Sequence, residues 1–245
     1  MTKVVIITGA GSGIGKACSN YFLNKNYNVA LLGRNKNKLN PENSKVKNYL
    51  SLECDVSNYL NVQSVFKKII DKWGRIDVLF NNAGIGNPAN TIDLISKEDW
   101  DNLININLNG SFYCAKEAFH YMKFQSPKGG RIINNGSISA HVPRPGSAPY
   151  TVSKHAITGL TKSISLDGRK YNIVCSQIDI GNAGTEMTKK MSKGIIQASG
   201  DILKEPVINV DHIAKAVYDI AELPLNTNIQ FMTIMASSMP YIGRG

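Results

Sequence analysis

Short apolar runs alternate with helix-length amphipathic segments along the whole 245-residue chain, and this alternation limits the available folds more than any single motif. The periodicity predicts strands at Lys3–Ile7, Asn28–Leu32, Tyr49–Leu52, Ile76–Phe80, Arg131–Asn134, Ile173–Gln177 and Gln230–Met235. It predicts helices at Ile14–Lys25, Tyr59–Trp73, Lys97–Lys123, Ala148–Tyr171 and Val210–Leu223. Strands separated by helical crossovers pair in parallel, and right-handed crossovers place helices on both faces of the sheet. The expectation is an α/β chain with a doubly wound parallel sheet of about seven strands. No repeat, low-complexity tract or linker-like break interrupts the pattern, so residues 1–245 are expected to form a single domain. The stretch Met187–Glu205, rich in Lys, Met, Ser and Gly, has weak periodicity. It reads as an excursion off the sheet, suited to a substrate lid.

Composition narrows the function. Hydrophobic content of 42% and charged content of 19% are those of an ordinary folded globule. No apolar run approaches the ~20 residues of a membrane span. The start "MTKVVIITGAG" reads as a strand entering a turn rather than a signal peptide, so a cytoplasmic location is expected. Cys18, Cys54, Cys114 and Cys175 are scattered inside apolar segments, without a CxxC or Cys/His cluster. They read as buried free thiols, and no metal site is expected. The net charge of +10 comes from dispersed lysines with no interleaved stacking aromatics, so nucleic acid is not an expected partner.

The first strand runs into "TGAGSGIGKA", residues 8–17. A glycine-rich turn after a strand usually holds a phosphate, because glycine lets backbone N–H groups approach the anion. An NTPase P-loop would need Gly at position 10 and Ser or Thr at 17, where this chain has Ala10 and Ala17. The spacing that fits is Gly9, Gly13, Gly15. Further polar signals follow successive strands: "GRNKNK", "CDV" and "NNAG". In open α/β sheets, ligands bind beyond the carboxyl ends of the strands, where all four signals fall.

"SAPYTVSKHA" places Tyr150 and Lys154 four residues apart, with Ser147 at an N-cap position and Pro149 in the first turn. Positions i and i+4 share a helix face. A cation within a few ångströms of a phenol favours the phenolate, so Tyr-x-x-x-Lys is a way to build a general acid and base. Alone, the pattern is an ordinary solvated helix face. Two features argue otherwise. "RIINNGSISA" exposes Ser137 at a strand end, thirteen residues before Tyr150. "NININLNGSF" carries Asn107 within a helix, where an amide is poor for stability and points to a specific partner.

Together these residues resemble the short-chain dehydrogenase/reductase family over nearly the whole chain, which implies a Rossmann fold. The turn matches that family's phosphate turn, so Gly9, Ser12, Gly13, Ile14 and Gly15 are expected to hold the pyrophosphate of a nicotinamide dinucleotide. By the same resemblance Asp55 and Val56 meet the adenine, while Asn82, Ala83 and Gly84 flank the cofactor. Asn107, Ser137, Tyr150 and Lys154 match the family's catalytic tetrad in order and spacing. The match implies that Tyr150 protonates a carbonyl oxygen that Ser137 positions and polarises. It also implies that Lys154 makes the phenol a better acid and bonds the nicotinamide ribose, with Asn107 helping to hold a water that links Lys154 to solvent.

After the second strand, "LLGRNKNK" offers Arg34 with no carboxylate to repel a 2′-phosphate, and Lys36 or Lys38 can add charge. NADP(H) is therefore expected ahead of NAD(H). Two places depart from the family. Ile180-Gly181 stands for the usual Pro-Gly, and "MASSMPYIGRG" lacks the usual Asp-Gly-Gly ending. Gly181 and Thr185 keep the family spacing, which implies a contact from Thr185 to the nicotinamide carboxamide. The expected activity interconverts a small-molecule ketone and a secondary alcohol. One alternative is reduction of 3-oxoacyl chains on acyl carrier protein, steered by Lys123, Lys128, Arg131 and Arg169. Another is a non-catalytic NADP-sensing protein. Phe112, Tyr113, Phe119, Ile157 and Leu160 exceed what one sheet face needs, which predicts a homo-oligomer, a tetramer or otherwise a dimer.

Overall fold

The computed structural model describes residues 2–43, 46–86, 89–188 and 194–242. In chain order its first elements are β1 (Val4–Thr8), α1 (Gly13–Asn24), β2 (Asn28–Gly33), β3 (Tyr49–Glu53), α2 (Tyr59–Trp73) and β4 (Val78–Asn81). Then come α3 (Lys97–Ile104), α4 (Gly110–Phe124), β5 (Gly130–Asn135), α5 (Ala148–Gly168) and β6 (Ile173–Ile180). The last are β7 (Ile195–Ile196), β8 (Ile202–Leu203), α6 (Val210–Glu222) and β9 (Phe231–Ile234). Seven strands form one sheet in the order β3-β2-β1-β4-β5-β6-β9, and each adjacent pair is parallel. The strand order reverses between β1 and β4, which opens a crevice above their carboxyl ends.

The strands read as continuous apolar runs because both faces of the sheet are covered. Along β1, Val4 and Ile6 pack with residues of α2 and α4, while Val5 and Ile7 pack with α1 and α6. This is the period of two expected of a strand. Burying one such side chain contributes about 1.5–3 kcal/mol, so β1 anchors both cores at once. The helices between strands start and stop on local signals. Asn58 Oδ1 accepts from the Asn61 N–H at the start of α2, and Gly74 ends that helix at φ +74°.

Among the differences from the sequence expectation, three bear on the site. The helix expected over Lys97–Lys123 is broken by a π-helical turn at Asn105–Asn109, the segment that holds Asn107. Ser147 stands at the N-cap of α5 but does not cap it. Its hydroxyl accepts from Arg144 N–H and donates to the Arg144 carbonyl, closing the preceding loop instead. Strand β6 runs three residues past Gln177, because Ile178, Asp179 and Ile180 pair with β9.

Of the expected excursion at 187–205, residues 189–193 lie outside the described residues. The remainder includes the antiparallel hairpin β7–β8. The two ends of the excursion meet, because Gly184 N–H donates to Ile208 O at 2.9 Å and Ile208 N–H to Asn182 O at 2.8 Å.

Candidate active site

The turn after β1 needs its glycines for two different reasons. Gly9 (φ +67°) and Gly13 (φ +51°) adopt left-handed backbone, which side chains disfavour. Gly15 has ordinary backbone, but a Cβ there would lie 2.2 Å from the Gly9 carbonyl oxygen. Only a glycine lets α1 start this close to the turn. Ser12 is the N-cap, its hydroxyl makes no capping bond, and the first turn carries no acidic residue. The N–H groups and positive end of α1, with Ile14 in that first turn, are thus suited to an anion.

Thr8 ties this turn to β4, its Oγ1 accepting from the N–H groups of Asn82 and Ala83, both at 2.9 Å. Asn82 Nδ2 returns a bond to Thr8 O, and Asn135 Nδ2 donates to Asn82 Oδ1. The carboxyl ends of β1, β4 and β5 are therefore one hydrogen-bonded unit. Gly84 follows against Asn107, whose Oδ1 would lie 3.2 Å from a Cβ there. Asp55 accepts from Ser57 N–H and Ser57 hydroxyl, while Val56 is buried beneath Gly110. Arg34 is exposed just past β2, and no ion pair engages it among the described residues.

The Asn107 amide pairs with the backbone of one loop residue. Its Oδ1 accepts from Ile85 N–H at 2.8 Å and its Nδ2 donates to Ile85 O at 3.0 Å. The side chain clamps the loop that follows Gly84. Lys154 is buried, and its Nζ donates to the carbonyl of Asn135, the last residue of β5, at 2.7 Å. The same Nζ lies 5.4 Å from the centre of the half-buried Tyr150 ring. Ser137 follows two residues after Asn135, with its Oγ accepting from Ser139 N–H. The Ser137 hydroxyl proton is then available to a substrate oxygen. Lys154, Tyr150 and Ser137 thus converge on the end of β5.

On the far side of the crevice, Thr185 Cγ2 packs 3.0 Å from where a Cβ on Gly13 would stand, which brings the β6 loop onto the phosphate turn. A Cβ on Gly181 would meet Met235 and Met239 at 2.7 and 2.9 Å, so the divergent C-terminal segment packs directly on this glycine. Ile180, which replaces the family proline, is a buried strand residue paired with Ile234.

Sequence reasoning missed two polar clusters beside these residues. Asp179, 1% exposed, accepts from the Ser137 N–H and approaches His141 Nε2 at 2.8 Å. Glu205 takes a forked pair of bonds from Arg144 and further bonds from Asn182 and Gln197, which ties the base of the β7–β8 excursion to the loop before α5. Burial pushes the Glu205 carboxyl up, but these donors outweigh it and hold it down from 4.5 to about 2. The sequence signal was weak: one carboxylate in an apolar strand, and one just before a proline.

Two expectations are corrected. Arg131 is not a surface charge, being 1% exposed, with its guanidinium donating to the carbonyls of Leu223, Pro224 and Thr227 and to Asn228. Ile157 is not spare apolar surface, because it is 1% exposed and belongs to the interior. The four cysteines are free and buried, and burial pushes their thiols up, Cys54 to about 12. A cavity of about 590 Å³ lies between α4 and α5, lined by Phe112, Phe119, Leu160 and Leu166, and none of the site residues line it.

With this geometry in place, comparisons with known proteins agree. The family model for short chain dehydrogenases matches residues 3–195. A 3beta-hydroxysteroid dehydrogenase from Mediterraneibacter gnavus is 34% identical over 79% of this chain and 70% of its own. Carbonyl reductase family member 4 from Xenopus tropicalis is 36% identical over 77% of this chain and 78% of its own. Among solved structures, ElxO with NADP bound is 29% identical, covers 96% of this chain and 97% of its own, and superposes with a TM-score of 0.84. The chain belongs to the short-chain dehydrogenase family.

Proposed function

We propose that this chain is an NADP(H)-dependent oxidoreductase that interconverts a ketone and a secondary alcohol. The observation that carries the reading is the convergence of Lys154, Tyr150 and Ser137 at the end of β5, beside a turn shaped for a pyrophosphate. The glycines at 9, 13 and 15 and the acid-free start of α1 fit such a group. Gly9, Ser12, Gly13, Ile14 and Gly15 would hold the pyrophosphate, and Asp55 and Val56 would meet the adenine. Asn82, Ala83, Gly84, Gly181 and Thr185 would flank the nicotinamide half. Arg34, exposed and with no acidic residue in the stretch 34–41 that follows β2, would hold the 2′-phosphate in a fork.

When bound, the nicotinamide supplies or accepts the hydride. Ser137 donates its hydroxyl proton to the substrate carbonyl oxygen and fixes its place. Tyr150 gives its phenolic proton to that oxygen in reduction, and takes it back from the alcohol in oxidation. Lys154, held by Asn135 O, keeps a positive charge beside the phenol, which stabilises the phenolate left behind. Asn107 acts on the fold of the site by clamping Ile85, on the substrate side. The described part of the excursion at 194–205, pinned at its base by Glu205, would lie on the substrate side. We read the substrate as a small or medium-sized carbonyl compound. The burial of Arg131 removes one of the four charges that favoured a carrier-protein substrate.

Two variants test the roles. Tyr150→Phe is expected to lower turnover by roughly 10²–10⁴-fold with little change in cofactor affinity. Lys154→Met is expected to lower both, because its ammonium serves the phenol and the ribose together. A Tyr150→Phe protein that keeps most of its activity would refute the assignment.

A further inference from the structure

Buried polar side chains run as a one-way chain from β4 across β5 and α5 to β6. Asn81 Nδ2 donates to Asn134 Oδ1 at 3.0 Å, and Asn134 Nδ2 donates to Thr161 Oγ1 at 2.9 Å. Thr161 Oγ1 donates to Gln177 Oε1 at 3.2 Å, and Gln177 Nε2 donates to Asp179 Oδ1 at 2.7 Å. All five residues are at most 3% exposed. Each of these four links is donated toward Asp179, and the chain begins on an amide oxygen with no partner among the described residues. That atom is Asn81 Oδ1, one of the two buried side-chain polar atoms without a partner among the described residues.

The other end is the Asp179 carboxylate. Its Oδ1 also accepts from Ser137 N–H at 3.0 Å, and its Oδ2 lies 2.8 Å from His141 Nε2. The residue between β5 and Ser137 is shaped around it, because a Cβ on Gly136 would stand 2.0 Å from Asp179 Oδ1. Ser137 thus leaves the sheet on the carboxylate rather than on a neighbouring strand, with extended backbone at φ −171° and ψ 156°. A carboxylate accepting from a backbone N–H is a stronger restraint than a neutral acceptor. Oriented amide dipoles behind it hold the charge in place.

We propose that Asp179, backed by this chain and faced by His141, is the positioning residue for Ser137, a proposal that rests on the oxidoreductase reading above. Asp179 touches neither substrate nor cofactor in this account. It acts by fixing where the Ser137 hydroxyl meets the substrate oxygen, and displacement of a reacting group by about 1 Å can cost 10²-fold in rate.

The test is a double-mutant cycle on kcat, with NADPH affinity and melting temperature measured for each protein. Asp179→Ala is expected to lower kcat on the order of 10- to 100-fold with NADPH affinity unchanged. Asp179→Asn, which keeps an oxygen for the Ser137 N–H, is expected to recover most of that loss. In a Ser137→Ala background, Asp179→Ala should cost nothing further, because its effect passes through Ser137. An unchanged kcat in Asp179→Ala, or equal losses with and without Ser137, overturns the proposal. If Asp179→Ala does not fold, Asp179→Val, which offers the Ser137 N–H no oxygen, is read instead: the same 10- to 100-fold loss supports the proposal and wild-type kcat overturns it. Wild-type protein that turns over no carbonyl compound counts against the oxidoreductase reading instead. A crystal structure of Asp179→Ala or Asp179→Val then decides this proposal, which an unmoved Ser137 would overturn.

Discussion

At the scale of single residues, the site depends on close approaches that leave no room for substitution. Gly15→Ala places a methyl group 2.2 Å from the Gly9 carbonyl oxygen, so α1 must move away from the turn. Overpacking of this kind costs about 1–3 kcal/mol, and calorimetry should show a lower melting temperature together with weakened NADPH binding. Arg34→Ala tests the cofactor preference separately. A charge-assisted bond is worth about 1.5–3 kcal/mol, so the dissociation constant for NADPH should rise roughly tenfold or more, with that for NADH little changed. Equal wild-type affinities for the two cofactors would remove Arg34 from the phosphate site. The glycines and Arg34 were legible in the sequence because each stands at a strand end, where spacing alone places it. Arg131 and Asp179 were not legible. Their partners, the carbonyls after α6 and the N–H of Ser137, are brought near only by the register of β5, β6 and β9.

Among the elements, the chain reads clearly wherever both faces of a segment are settled by periodicity. Helix α2 has the bounds expected, because Asn58 and Gly74 punctuate it. The hairpin β7–β8 was not legible, since strands of two residues carry no alternation and Glu205 at their base is anchored 61 residues away, at Arg144. That anchor makes a pH prediction. The Glu205 carboxyl is held at about 2 in the folded chain against an ordinary 4.5, so the folded state binds its proton less readily than the unfolded state. Its stabilisation is therefore full above pH 4.5 and is lost as pH falls toward about 2. Glu205→Gln should cost roughly 3–5 kcal/mol at neutral pH, because Arg144 is left without its counter-charge. Unfolding followed in acid should show the gap from wild type closing between those two values. A gap independent of pH would mean that Glu205 contributes by shape rather than charge.

At the scale of the whole molecule, the helices α4 and α5 present an apolar face that the fold does not cover. Phe112 is 48% exposed and Leu166 61%, beside the cavity that no site residue lines. We expect a homo-oligomer packed through this face, and light scattering that gave 26.8 kDa at micromolar concentration would refute it. Phe112→Glu should then shift the assembly toward smaller species. The doubly wound sheet itself was legible because alternation, turn glycines and strand-end polar residues all agree on one topology. Which substrate fills the crevice was not legible, because its walls are the loops where periodicity is weakest. The most direct measurement mixes the wild-type protein with NADPH and a panel of ketones, diketones and acyl thioesters while reduced-nicotinamide absorbance is followed. The account predicts catalytic loss of absorbance with at least one small carbonyl compound. Tight NADPH binding with no turnover across the panel would contradict it.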